Sequence, residues 1–116
     1  MEITPAKAID RIIDVFPAGE KDMIRAMLSE SLQAVISQTL VKKIGGGRVA
    51  AYEIMVGKSA IRNLIREAKV AQMYSAIQTG RKDGMQTLDQ NLKELVDKGL
   101  ITKQEASAKA VNKDLF

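Results

Sequence analysis

Residues 35–56 have the sequence VISQTLVKKIGGGRVAAYEIMV, and their pattern differs from that of the rest of the chain. The two ends of this stretch, Val35–Val41 and Arg48–Val56, are rich in β-branched residues, which favour strands over helices. Three consecutive glycines, Gly45 to Gly47, lie between them and supply the backbone freedom that a chain reversal needs. The stretch therefore predicts a β-hairpin.

The segments on both sides of the hairpin repeat apolar residues at helical spacing. Thr4 followed by Pro5 predicts the start of the first helix, which Pro17 ends. Beyond the hairpin, Ser59 is placed to cap a helix, and Thr102-Lys103-Gln104-Glu105 predicts a capping box for the last one, whose tail from Ala108 onward is expected to fray. We expect a mainly α protein with one short β-hairpin. The inward positions of the helices are predicted to be Ile9, Ile12, Ile13 and Phe16; Ile24, Met27, Leu28, Leu32 and Val35; Ile61, Leu64, Ile65 and Ala68; Met73, Ala76 and Ile77; and Leu88, Leu92, Leu95 and Val96.

The composition excludes several classes of site. The chain has 116 residues and contains no cysteine and no histidine, which rules out disulfides, Cys/His zinc sites, thiol nucleophiles and imidazole bases. Its apolar residues occur in short periodic groups, none of which approaches the roughly 18 consecutive residues needed to span a bilayer. We therefore expect no metal site and a cytoplasmic chain without a transmembrane segment.

Positive charge is concentrated in the middle of the chain. Residues 41–82 carry nine basic and two acidic groups, a net +7, whereas residues 1–40 carry −2 and residues 83–116 carry −1. Such a region suits nucleic acid, a membrane surface or an acidic protein. Only two Tyr and two Phe are present, and they do not alternate with the basic residues. Binding of single-stranded nucleic acid is therefore poorly supported, and we expect no nucleic-acid partner.

The tripeptide Gly57-Lys58-Ser59 lies between a predicted strand and a predicted helix, where a phosphate-binding loop would end. That loop requires a glycine five residues before Gly57, so that backbone N–H groups can surround the phosphates. Tyr52 occupies the required position. We expect a helix cap at Ser59, no nucleotide site, and no ATP hydrolysis by this chain alone.

Arg62 and Arg66 lie one helical turn apart and repel each other, so local helix stability does not explain the pair. We predict that both face outward, toward a partner surface rich in carboxylates or carbonyl groups, which guanidinium groups bind in a forked geometry. A basic face that is merely solvated is the alternative.

The stretch from Ala60 to Glu67, AIRNLIRE, resembles the signature of the PilT family, the retraction ATPases of bacterial type IV pili. The similarity runs from about residue 6 to residue 106, and it falls on the C-terminal part of the family's chain. The candidate functional motif is therefore Ala60, Ile61, Arg62, Asn63, Leu64, Ile65, Arg66 and Glu67. The other segments that resemble the family in order and spacing are LSESL (28–32), VISQ (35–38), GRVAAYEI (47–54), QMYSAIQTG (72–80) and GMQTLD (84–89).

The resemblance implies that residues 1–56 are the end of a RecA-like ATPase core and that residues 57–116 are a helical C-terminal region. Complete relatives are hexameric ring motors of the secretion ATPase superfamily, and they use ATP and magnesium. Their phosphate loop, acidic motifs and histidine box are absent here, since Met1 to Pro5, which precede the matching region, include no histidine. We therefore predict no catalytic, cofactor-binding or metal-binding residue in this chain.

By resemblance, the chain is a C-terminal fragment of a pilus retraction ATPase that drives twitching motility, and it contributes subunit contacts and transmits motion. Its partners would be neighbouring subunits of a homohexamer and the pilus machinery at the inner membrane. The alternative is a stand-alone, non-catalytic helical module that regulates an intact motor ring.

The hairpin raises a separate expectation. An isolated two-stranded hairpin is marginally stable in water, and an exposed strand edge pairs readily with another chain. We expect the chain to self-associate, either by strand pairing or by exchange of the segment before Gly45. The exposed apolar face is predicted to comprise Ile36, Leu40, Val49 and Ile54.

Overall fold

A computed structural model describes residues 4–116 and shows six α-helices around one hairpin. The mainly α fold with a short β-hairpin is confirmed. In chain order the elements are α1 (Pro5–Asp14), α2 (Lys21–Ser31), β1 (Ala34–Lys42), β2 (Arg48–Val56), α3 (Ser59–Arg66), α4 (Met73–Gln78), α5 (Leu88–Asp97) and α6 (Lys103–Lys109). Short 3₁₀ turns cover Ala18–Glu20, Val70–Gln72, Arg81–Asp83 and Lys113–Leu115.

The hairpin pairs β1 with β2 in antiparallel register from Ala34 opposite Val56 to Lys42 opposite Arg48. The turn glycines have φ angles of 87°, 113° and 77°, in the region that residues with a side chain rarely adopt. The prediction of two strands joined at the glycines is therefore confirmed.

The two faces of the hairpin have different environments. The inner face carries the buried residues Val41, Ala51, Glu53 and Met55. On the outer face, Ile36, Leu40 and Tyr52 are 62%, 47% and 37% exposed. Val49 stands opposite Val41 and packs with the inner core. Its predicted place on the exposed face was therefore wrong, because side chains alternate strictly along a strand.

Two apolar clusters hold the molecule together. The first joins α1, the end of β2, α3 and α4, and its buried members are Ile9, Ile13, Met55, Ile61, Ile65, Met73, Ile77 and Met85. The second joins the turn end of the hairpin to the C-terminal helices through Val41, Ala51, Leu88, Leu92, Leu95, Ile101, Ala106 and Ala110. The division into a core part and a C-terminal part between Val56 and Gly57 stays a prediction.

Four predicted inward positions, Ile12, Phe16, Met27 and Ala68, lie outside these clusters. Val35, predicted as the end of the second helical stripe, lies in β1. Ile12 is 44% exposed and Met27 is 59% exposed, although both belong to helical stripes. Ala68 lies beyond the end of α3, with a φ angle of 58° and an exposed side chain. A three-in-seven stripe is wider than the contact that these short helices make, so its margins remain in solvent.

The N-cap residues of α1 and α6 are those predicted from the sequence, whereas that of α3 is not. The Oγ1 atoms of Thr4 and Thr102 accept hydrogen bonds from the backbone N–H groups of Lys7 and Glu105. The Glu105 carboxylate does not complete a capping box, since it accepts a bond from the N–H of Lys42. The cap at Ser59 was wrong, because Lys58 is the N-cap residue there and no side chain caps the helix.

A complete capping box occurs instead at the start of α5, where none was predicted from the sequence. The Thr87 side chain accepts from the N–H of Gln90, and the Gln90 side chain accepts from the N–H of Thr87. This reciprocal pair satisfies two backbone N–H groups at the start of α5 that have no partner within the helix.

We expect Gly57→Ala to destabilise the protein by about 1–3 kcal/mol, the range for overpacking a tight contact. A Cβ atom at this position would lie 2.2 Å from the carbonyl oxygen of Leu32. Urea denaturation monitored by circular dichroism measures the effect. Gly19→Ala is the matched control, since nothing lies within 4 Å of its Cβ position. Equal stability of the two variants would contradict this account of Gly57.

Candidate functional site

The motif helix α3 has one buried side. Ile61 and Ile65 are 0% and 1% exposed and belong to the first apolar cluster, and Leu64 packs against its margin. Their spacing of three and four residues places them on one face of the helix. Three of the eight motif residues therefore attach α3 to the body of the protein.

The prediction that Arg62 faces outward was wrong. Its half-buried side chain crosses to the C-terminal end of α2 and the segment that follows it. Nε donates to the carbonyl of Gly57 at 2.6 Å, and Nη1 donates to the carbonyls of Ser29 at 3.2 Å and Glu30 at 2.6 Å. Nη2 donates to the carbonyl of Leu32 at 3.2 Å. One guanidinium group therefore joins three segments of the chain.

The chemistry of a helix terminus explains this contact. The last carbonyl groups of a helix have no partner within the helix, and the helix dipole makes that end negative. The planar, permanently charged guanidinium of Arg62 satisfies several of these carbonyls at once, in a way that a lysine ammonium cannot. Gly57 allows the close approach, because a side chain there would meet Leu32.

The predicted carbonyl-rich partner of the arginine pair therefore belongs, for Arg62, to the same chain. The mutual repulsion of the two arginines is offset at one of them by the carboxyl end of α2, which lies about 30 residues earlier in the sequence. The prediction of such a surface was correct for Arg62, but its location outside the chain was wrong.

Arg66 does face outward, as predicted. Its Nη1 donates to the Oδ1 of Asn63 at 3.1 Å within the same helix, and both residues are exposed. In residues 4–116 no carboxylate lies within ion-pair distance of Arg66. Glu67 is also exposed and forms an ion pair with Lys69 at 3.1 Å. We refer to Asn63, Arg66 and Glu67 as the exposed motif face; Ala60, also exposed, lies at the other end of α3.

A second polar group, which was not predicted from the sequence, lies beneath α5. Glu53 on β2 is 3% exposed, and its Oε1 accepts a hydrogen bond of 2.9 Å from the N–H of Leu88 in the first turn of α5. Burial raises the pKa of Glu53; the Leu88 hydrogen bond opposes this, and the nearby Asp89 carboxylate adds to it. Burial, with Asp89 again contributing, also raises the pKa of Tyr74.

Asp89 connects α5 to the last residues of the chain. Its two carboxylate oxygens accept hydrogen bonds from the N–H groups of Val111 at 2.8 Å and Asn112 at 2.9 Å. A carboxylate that is 3% exposed is stable in this position because both of its oxygens have donors. The predicted fraying from Ala108 onward is therefore wrong for Val111 and Asn112, which have partners for their backbone groups.

Gly57-Lys58-Ser59 follows β2 directly. Gly57 lets the backbone lie close to Leu32, because a Cβ atom at this position would meet the Leu32 carbonyl. Within residues 4–116 no group of three or more acidic, histidine or cysteine side chains is placed to hold a metal ion. In the same range, no helix is both long enough and apolar enough to cross a membrane.

Comparison with known proteins gives a consistent result. No protein-family model matches the chain. The type IV pilus retraction ATPase PilT of Pseudomonas aeruginosa is 74% identical over 105 residues, which are 90% of this chain and 30% of that protein. A twitching motility protein of Neisseria gonorrhoeae is 57% identical over 110 residues, 94% of this chain and 29% of that protein.

A crystal structure of the pilus retraction motor PilT with bound ADP superimposes with a TM-score of 0.84 and 43% identity, and it covers 98% of this chain. The chain is homologous to part of PilT. It spans about 30% of the length of these relatives.

The predicted resemblance to PilT is therefore confirmed, as is the assignment of the chain to the C-terminal part of a RecA-like ATPase fold. The likeness extends over both apolar clusters, since almost the whole chain aligns with PilT. ADP was bound in the PilT crystal structure, in a protein about three times as long as the region matched here.

We expect Arg62→Ala to destabilise the protein by about 1–3 kcal/mol, since it removes charge-assisted hydrogen bonds from half-buried carbonyls. Arg66→Ala should change stability by no more than about 0.5 kcal/mol, as is usual for an exposed side chain. Chemical denaturation of both variants tests the difference. Arg62→Lys is the control for charge, and it should recover only part of the loss because an ammonium lacks the fork. Equal effects of the two alanine substitutions would contradict the assignment.

Glu53→Gln should alter how stability depends on pH. Because the folded-state pKa is raised above its ordinary value of 4.5, the native protein binds this proton more tightly than the unfolded chain does. The contribution of Glu53 to the free energy of unfolding is therefore complete below about pH 4.5, and it is lost as the pH rises through the folded-state pKa.

The glutamine side chain of this variant would keep an acceptor for the N–H of Leu88 without titrating, so the variant should lose this decline in stability. Urea midpoints measured from about pH 4 to about pH 8 give the comparison. Glu30→Gln, at an exposed position, should retain the wild-type profile. A Glu53→Gln profile parallel to that of the wild type would show that Glu53 does not titrate as described.

Proposed function

We propose that the chain serves as the C-terminal portion of a type IV pilus retraction ATPase, in which α3 passes movement from the ATPase to the structures that it acts on. The observation that carries the proposal is the 74% identity to the P. aeruginosa PilT over nine-tenths of the chain. The arrangement of α3 agrees with this role, because the helix is held firmly on one side and presents polar groups on the other.

The exposed motif face is the part of α3 that contacts a partner. Asn63 accepts a hydrogen bond of 3.1 Å from the guanidinium of Arg66, which restricts the Arg66 rotamers before a partner binds. Arg66 therefore loses less conformational entropy on binding. The remaining guanidinium donors suit a carboxylate or a carbonyl group on the partner. Arg62 has a different task, since it fixes the direction of α3 relative to α2.

The separate roles of Arg62 and of the exposed motif face provide a route for movement. A shift of α2 displaces the carbonyls that hold Arg62, and the buried side chains of Ile61 and Ile65 oblige α3 to follow as a rigid element. The exposed motif face then changes its position relative to the partner. ATP chemistry itself would take place elsewhere in the motor, on residues outside this chain, with magnesium as the metal.

The surrounding assembly is part of the same proposal. The motor would be a homohexameric ring in the cytoplasm, associated with pilus machinery at the inner membrane and driving twitching motility by retracting pili. The exposed motif face would meet either the neighbouring subunit or that machinery.

The test is a chimera in which this chain replaces the matching segment of the P. aeruginosa PilT, expressed in a strain that lacks PilT. The chimera should restore twitching. Arg66→Ala within it should abolish most twitching while the purified protein keeps at least about half of its ATPase rate, because the proposal places the phosphate chemistry on residues outside this chain. Arg11→Ala, at an exposed position on α1, is the matched control and should twitch normally.

Two outcomes would contradict the proposal. If the chimera folds and hydrolyses ATP but never restores twitching, this chain does not carry the retraction function. If the chain, expressed separately, changes the twitching of cells with an intact PilT while the chimera stays inactive, the alternative of a regulatory module would be supported instead.

A further inference from the structure

The turn between α3 and α4 contains a residue in an unfavourable backbone conformation. Ala68 has a φ angle of 58°, and among residues 4–116 it is the only residue other than glycine with a positive φ. A residue with a Cβ atom is disfavoured in this left-handed region by roughly tenfold in population. The chain therefore has an alanine where glycine is the usual residue.

Two backbone hydrogen bonds hold this conformation. The N–H of Lys69 donates to the carbonyl of Leu64 at 2.9 Å, and the N–H of Ala68 donates to the carbonyl of Ile65 at 3.1 Å. These are the two bonds of a Schellman motif, in which a helix ends at a left-handed residue. Helix α3 therefore ends by a defined reversal of the chain rather than by fraying.

The sequence around this turn favours a helix instead. Residues 58–79 include no glycine and no proline, and alanine is the best helix former. Ala68 lies three residues after Ile65 and four after Leu64, so it continues the apolar stripe of α3. The local sequence and the observed turn thus disagree, and such disagreements are expected at strained or functional positions.

The break in the helical backbone is short. Only Ala68 and Lys69, whose φ and ψ angles are −99° and 56°, separate α3 from the next helical turn. That turn, Val70–Gln72, is a 3₁₀ turn that leads directly into α4, and no side chain caps either element. Because 3₁₀ hydrogen bonds have poorer geometry than α-helical ones, this turn is easily unwound.

An ion pair across the turn favours the observed conformation. Nζ of Lys69 lies 3.1 Å from Oε2 of Glu67. Residues two apart do not face each other on a helix, so this pair exists only while the chain reverses between them. The two side chains are 52% and 55% exposed, and ion pairs between exposed groups are weak. The pair therefore opposes the strain of Ala68 only weakly.

We propose that residues 67–72 form a two-state element. In the state described above, α3 ends at Arg66 and Ala68 is left-handed. In the second state, residues 67–70 join α3 as one further turn, Ala68 becomes right-handed, and the break moves toward Met73. We call these the capped state and the extended state.

Both states keep the apolar contacts that hold the two helices. The anchors of α3 and α4 in the first apolar cluster are at most 1% exposed and lie outside the segment that changes: Ile61, Ile65, Met73 and Ile77. Within the segment only Val70 is half-buried, and the other five residues are exposed. The transition therefore disturbs an exposed turn and leaves the core in place.

The extended state changes the charges next to the exposed motif face. It places Lys69 three positions after Arg66 on the same side of the helix, and it removes the ion-pair partner of Glu67. Two adjacent cations suit a partner surface that carries carboxylates, so binding of such a partner favours the extended state. This consequence rests on the proposed function, whereas the two-state element itself does not.

Nuclear magnetic resonance on the full chain, labelled with ¹⁵N and ¹³C, tests the two-state element. Chemical-exchange saturation transfer should detect a minor state of about 0.1–10% at residues 67–72. The minor-state carbon shifts of Ala68 and Lys69 should be those of a right-handed helix.

Substitutions of Ala68 should move the population in opposite directions. Ala68→Gly should lower the minor population at least about tenfold, because glycine favours the left-handed conformation and disfavours the helix. Ala68→Val should raise it, because a β-branched residue is a strong outlier in the left-handed region. Circular dichroism melting confirms that each variant is folded.

Ala108→Gly is the matched control, because it makes the same substitution at an exposed position within α6. It should leave the exchange at residues 67–72 unchanged. The two glycine variants should also shift the urea midpoint in opposite directions: Ala68→Gly should raise it by relieving strain, and Ala108→Gly should lower it by weakening a helix.

The chimera with PilT tests the consequence for the partner. A tenfold smaller extended population weakens partner binding by the same factor. Ala68→Gly in the chimera should therefore reduce twitching to less than about half, with the ATPase rate retained. Ala108→Gly in the chimera should twitch normally.

Three results would overturn the proposal. The first is the absence of a minor state, or a minor state with the carbon shifts of an unfolded chain, which would show a static or merely fraying turn. The second is an equal minor population in the wild type and in Ala68→Gly. The third is normal twitching of the Ala68→Gly chimera, which would show that the partner does not select the extended state. A chimera that fails to twitch without any substitution contradicts the proposed function instead and leaves the resonance measurements unaffected.

Discussion

The hydrogen bonds of the Arg62 guanidinium to the carboxyl end of α2 determine how the first half of the molecule is arranged. Apolar packing brings α1, α3 and α4 together, but apolar contacts have little directional preference. The guanidinium supplies direction, since its donors fit only carbonyl groups that lie in its plane and at the right distances. The path from α2 into the hairpin and from the hairpin into α3 is therefore fixed at one point.

The second half depends on a different kind of contact. Here carboxylates accept from backbone N–H groups, with Glu53 at the start of α5 and Asp89 at the last residues of the chain. The two halves use opposite ends of the peptide dipole, the guanidinium of Arg62 against carbonyls in one case and carboxyl oxygens against amides in the other. Both contacts place a polar side chain on backbone that is distant in sequence, and together they join the helices to the hairpin.

The structural features that could be predicted from the sequence are those that depend on nearby residues. The caps at Thr4 and Thr102, the strands on either side of Gly45 to Gly47 and the buried positions Ile61 and Ile65 each depend on neighbours within a few residues. The contacts of Arg62 do not, because its α2 and Leu32 partners lie about 30 residues away and a basic residue on an amphipathic helix is usually solvated. Glu53 did carry a usable signal, since it shares strand parity with the buried Ala51 and Met55.

The alternation of side chains between the two faces of the hairpin also determines where the chain tolerates a change in length. The three turn glycines have open space around them, so an extra residue there adds only a slightly longer loop. One residue inserted between Arg48 and Tyr52 would instead reverse the faces of the following part of β2. It would turn the Glu53 carboxylate into solvent and Tyr52 into the core, and α5 would lose the acceptor at its first turn. Natural variation in length should therefore accumulate in the glycine turn and be excluded from β2.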